Sequence, residues 1–84
     1  MIFLDLPGGR TGLRREDVGV LRDAAAAQAG RSLAARDLSL LLDRALAQGN
    51  SVALRRAELQ TLIEVARGVA LDEIASELAL LAGG

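Results

Sequence analysis

The sequence predicts a small all-α fold: a bundle of about four short helices, with a short N-terminal strand or extended arm. Three observations lead there. Apolar residues recur at helical spacing through most of the 84-residue chain. Half of all residues are apolar, yet Phe3 is the only aromatic, so the core must be built from Leu, Ala, Val and Ile. Glycines at 30, 49 and 68 then cut the apolar pattern into helix-sized pieces. At this length the chain is expected to form one domain, with residues 1–12 as the arm and 13–84 as helices.

Ile2–Leu6 is a short run of β-favouring residues closed by Pro7-Gly8-Gly9. A lone strand is unstable, so this run needs a partner. The only other strand-like piece is Ser51–Leu54, after the Gly49-Asn50 turn signal. The stretch from Pro7 to Gly12 reads as a turn; it lacks the Lys and the spacing of a phosphate-binding loop.

A first helix is expected from about Arg15 to Ala29, with Val18, Leu21, Ala24 and Ala25 inward and Gly30 as its stop. Ser32 is a suitable N-cap for a second helix to about Gln48. Leu38, Leu41, Leu42, Ala45 and Leu46 form its apolar stripe, the strongest in the chain. Leu59, Leu62, Ile63 and Ala66 define a third stripe, and Leu71, Ile74, Ala75 and Leu78 a fourth. These last two helices face each other only if the chain turns sharply, and Gly68 is the expected left-handed residue. Asp72 and Glu73 suit the start of the fourth helix, where negative charge meets the helix dipole.

An internal repeat runs through this pattern. Leu13-Arg14-Arg15-Glu16-Asp17-Val18 aligns with Leu54-Arg55-Arg56-Ala57-Glu58-Leu59, and Leu21 and Ala25 then fall on Leu62 and Ala66. Each half is a helix, a glycine and a second helix.

The segment 54–81 resembles the first two helices of a LuxR/GerE-type helix-turn-helix. Leu54, Arg56, Leu59, Leu62, Val65, Ala66, Gly68, Glu73, Ile74, Ala75 and Leu78 stand where that family's pattern places similar residues. The resemblance covers about a third of the chain and implies the geometry of the helix pair. It departs at Arg55 and Ala70, which replace capping Thr and Ser, and no recognition helix follows. A DNA-binding regulator is therefore the alternative function, with Arg14, Arg15, Arg55 and Arg56 as its nucleic-acid contacts.

Composition excludes much chemistry. The chain has no His, Cys, Lys, Tyr or Trp, which removes the usual general bases, the thiolate nucleophile and ordinary zinc ligands. The acid pairs Glu16/Asp17 and Asp72/Glu73 fall at helix starts, where the dipole alone accounts for them. No catalytic residue, metal ligand, cofactor or small-molecule site is expected. A net charge of −1 argues against general nucleic-acid affinity. Charge is unevenly spread: residues 1–56 hold nine Arg against six acids, and residues 57–84 one Arg against five. A cytoplasmic location is expected, because the N-terminus lacks a signal-peptide pattern and no apolar run approaches the ~18 residues of a membrane span.

The C-terminal Glu77-Leu78-Ala79-Leu80-Leu81-Ala82-Gly83-Gly84 resembles the double-glycine leader of secreted peptide precursors. That resemblance implies a second alternative, a leader or carrier in peptide maturation, resting on Glu77, Leu78, Leu81, Gly83 and Gly84. The leading expectation is a non-enzymatic interaction or regulatory module that binds another protein or a second copy of itself. Leu40, Val65 and Leu80 lie off the main stripes of their helices and are the expected partner-binding residues.

Overall fold

The computed structural model describes residues 1–83. Two strands, β1 (Ile2–Leu6) and β2 (Gly9–Leu13), precede helices α1 (Arg15–Ala27) and α2 (Leu33–Gln48). A short strand β3 (Ser51–Ala53) then leads into α3 (Arg56–Gly68) and α4 (Asp72–Gly83). The structure is mostly helical, with breaks near the expected positions. Its sheet is larger than an N-terminal arm: three strands in the order β2-β1-β3.

β1 pairs in parallel with β3, as the two strand-like runs suggested. It also pairs antiparallel with β2, so the reading of residues 7–12 as a turn is corrected. Only Pro7 and Gly8 lie between Leu6 and Gly9, which face each other across the hairpin. β2 exists because Thr11 and Leu13 alternate inward onto the core while β1 supplies the ladder. Gly9 turns into it at φ 150°, a conformation open essentially to glycine. Gly8 is fixed by a neighbour: a Cβ there would run into the Leu81 carbonyl, because α4 ends against the hairpin.

Ile2, Leu4 and Leu6 project from one face of β1 into the core, where Val18, Leu21, Leu38, Leu42, Leu59, Leu62 and Leu78 are fully buried. All four helices send residues into this one cluster. The other sheet face is open, and it carries the lone aromatic: the Arg10 guanidinium lies 4.8 Å from the Phe3 ring centroid. Helix starts follow local chemistry. Ser32 Oγ accepts from the Ala35 N–H at 3.2 Å, which caps α2. At α3 the Glu58 carboxylate accepts from the Arg55 N–H at 2.9 Å; arginine has no acceptor to return the bond, so the capping box is half made.

The turn between α3 and α4 is built differently from the expectation. The left-handed residue is Ala70, at φ 61°, and Gly68 is the last residue of α3. The Leu71 N–H bonds to the Ala66 carbonyl at 2.8 Å, and the Ala70 N–H to Arg67 at 3.2 Å. This is the hydrogen-bond pattern of a Schellman motif, displaced two residues from the glycine.

The repeat is structural. α1 and α3 each span 13 residues and begin 41 positions apart. At that offset Thr11 corresponds to Val52, and both stand opposite Leu4 of β1. Gly12 and Ala53 stand opposite Phe3 and Asp5, placed evenly about Leu4. β2 and β3 are therefore related by an approximate two-fold axis normal to the sheet at Leu4, and β1 belongs to both halves. Burial follows the same symmetry: Leu13 with Leu54, Val18 with Leu59, Leu21 with Leu62 and Ala25 with Ala66 are all buried.

Candidate interaction surface

The duplication extends into the second helix of each half. Leu33–Leu42 and Glu73–Ala82 align 40 positions apart, one fewer because the connecting loop is shorter. Ala35 and Ala75 are buried, as are Leu38 and Leu78. Asp37 matches Glu77, and Leu41 and Leu81 are both half-buried. Leu40 and Leu80 then occupy equivalent positions, and both are exposed, at 57% and 80%. An apolar side chain left in water at the same place in both halves is the most distinctive surface feature of the molecule.

Of the three residues expected to bind a partner, Leu40 and Leu80 thus lie on the surface. Val65 does not: it is 1% exposed, inside the core cluster. Helix α3 is covered on more sides than its stripe suggested, because α1, α2 and α4 all pack against it. Leu33 was missed. It is 75% exposed and lies seven residues before Leu40, on the same side of α2. The signal was available, since Leu33, Leu40 and Ala47 form a sevenfold series separate from the buried stripe.

The arginines of the alternative reading do not form one patch. β2 ends opposite Ile2 and β3 ends opposite Asp5, so Arg14-Arg15 and Arg55-Arg56 stand at diagonally opposite corners of the sheet. Arg14 pairs with Asp17 at 3.2 Å and Arg55 with Glu58 at 3.5 Å. Arg15 donates to the Leu46 carbonyl at 2.9 Å and to Asn50 Oδ1 at 3.2 Å, tying α1 to the end of α2. Arg56 is exposed.

Three residues of the double-glycine pattern, Glu77, Leu78 and Leu81, take part in packing. Glu77 accepts a hydrogen bond from Thr11 Oγ1 at 2.8 Å, Leu78 is fully buried, and Leu81 meets the β1–β2 hairpin. Gly83 ends α4, and Gly84 lies outside the described residues.

The two halves differ in how their helices close. α2 packs firmly on α3, whereas α1 and α4 scarcely meet. An open groove lies between them, with Leu13, Leu71 and Ile74 at its base and Asp17, Glu73 and Glu77 on its rim. Among the described residues no three acids converge as a cation site. No helix among them is long and apolar enough to cross a membrane. Neither a family model, nor a curated protein, nor a solved structure matches the chain.

Proposed function

We propose that this chain is a small non-enzymatic interaction module that binds another protein, or a second copy of itself, through apolar positions on its second helices. One observation carries the reading: Leu40 and Leu80 are exposed at equivalent places in the two halves, each two residues after a fully buried leucine. Burying such a side chain on association releases about 2 kcal/mol of hydrophobic free energy, and charged residues around it would orient the partner. The absence of His, Cys and Lys supports a binding role over catalysis. A DNA-reading role draws less support, because its four arginines are divided between two corners and three of them already hold partners within the chain.

The test is substitution of each leucine by glutamate. A carboxylate at a desolvated contact loses its hydration without gaining a partner, so at least one of Leu40→Glu and Leu80→Glu should weaken association while the melting temperature stays within a few degrees. Association is measured by sedimentation and by retention of partners from cells of the source. A wild-type chain that neither self-associates nor retains a partner dependent on either leucine defeats the proposal.

A further inference from the structure

Helix α2 carries a face whose charges complement a second copy of itself. Leu33, Leu40 and Ala47 recur every seven residues along its exposed side. Asp37 and Arg44 flank this series on one side, again seven residues apart, so their Cα atoms are separated by about 10 Å along the axis. Neither makes an ion pair among the described residues. Shallow depressions lie on both sides of Leu40. One is bounded by Asp37, Leu41, Arg44 and the start of α3, the other by Asp43, Arg44 and Ala47.

We infer that two copies of the chain associate through antiparallel α2 helices, about a two-fold axis beside Leu40. This rests on the reading of Leu40 as an interaction residue and names its partner. An axis midway between residues 37 and 44 brings Asp37 of each copy to Arg44 of the other, two reciprocal ion pairs from one unpaired set. It also seats each Leu40 in a depression beside its mate and draws Leu33 toward the far end of the opposing helix. Asp43, held by Arg22 at 3.2 Å, needs no new partner.

The equivalent face of α4 cannot do the same. Glu77 stands where α2 has Asp37, Gly84 occupies the sequence position matching Arg44, and α4 contains no base. In the same arrangement each Glu77 would meet a glycine position and find no basic partner. The duplicated helices have thus diverged: α2 carries alternating charge suited to self-pairing, and α4 carries acid alone. With so few apolar residues in the seam the interface is small, and a weak, concentration-dependent dimer is expected.

Sedimentation velocity with interference optics suits a chain without Trp or Tyr. The intact protein is expected to shift from a monomer of 8.7 kDa to twice that mass as its concentration rises through the micromolar range. Leu40→Glu should abolish the shift and Leu80→Glu should leave it. Asp37→Arg and Arg44→Asp should each weaken the dimer about tenfold or more, since each places like charges together twice. The double variant Asp37→Arg/Arg44→Asp should restore it. Circular dichroism on every variant checks the fold, and the charge exchange decides the matter if Leu40→Glu unfolds. A wild type that stays monomeric at hundreds of micromolar overturns the dimer, as does a double variant no better than the single ones. A monomer that still retains another protein through Leu40 defeats this inference alone; one that retains nothing defeats the broader reading as well.

Discussion

At the scale of single residues, conformation and contact pull apart most clearly at Ala70 and Gly8. Ala70 holds a left-handed backbone at φ 61°, where an L side chain costs roughly 1 kcal/mol. It is exposed, so its methyl group recovers nothing through packing. Ala70→Gly should therefore stabilise the fold by about 0.5 kcal/mol, once the greater freedom of glycine in the unfolded chain is deducted. Chemical denaturation at fixed slope measures this, and a lower midpoint would show that the turn does not hold that conformation in solution. Gly8→Ala should act in the opposite sense. Its Cβ meets the Leu81 carbonyl, which is backbone and cannot rotate aside, so about 1–3 kcal/mol should be lost as α4 shifts from the hairpin. Leu42 is fully buried in the stripe that the sequence marks most strongly, and Leu42→Ala should cost about 2–5 kcal/mol. An unchanged melting temperature for that variant would contradict its place in the core.

At the scale of elements, the helices were legible and the sheet only partly so. The stripes of Leu38, Leu42 and Ala45, and of Leu59, Leu62 and Ala66, repeat at helical spacing and are buried as that spacing requires. Ser32 caps α2 where a serine before an apolar run is expected to. β2 escaped notice because two of its five residues are glycine and one is arginine, so propensity gives no hint of a strand. What makes it one is the hairpin: β1 supplies hydrogen bonds, and the alternation of Thr11 and Leu13 needs only two inward residues. Val65 lies off the apolar stripe and is buried all the same, because a stripe marks only one face of a helix and α3 is covered on more than one. Two further features of the surface are present in the sequence. The match of Asp37-Leu38-Ser39-Leu40-Leu41 with Glu77-Leu78-Ala79-Leu80-Leu81 extends the repeat past its first helix, and the sevenfold series of Leu33, Leu40 and Ala47 is visible in the sequence alone.

For the whole molecule, the approximate two-fold axis through Leu4 makes a prediction that burial alone does not. β1 adds the hydrogen-bonding partner for both β2 and β3, and its side chains Ile2, Leu4 and Leu6 face a core shared by the two halves. Leu4 is fully buried on the axis, opposite Thr11 on one side and Val52 on the other. Truncation there leaves a cavity that neither half can fill by itself, so Leu4→Ala should cost about 2–5 kcal/mol. The loss should fall on both halves alike. In native-state hydrogen exchange the slow amides of α1 and α3 should lose protection together and by similar amounts, as members of one cooperative unit. Thermal unfolding should remain a single transition at a lower temperature. If α1 loses protection while α3 keeps it, or the reverse, β1 belongs to one half only, and the duplication is a likeness of parts without a shared centre.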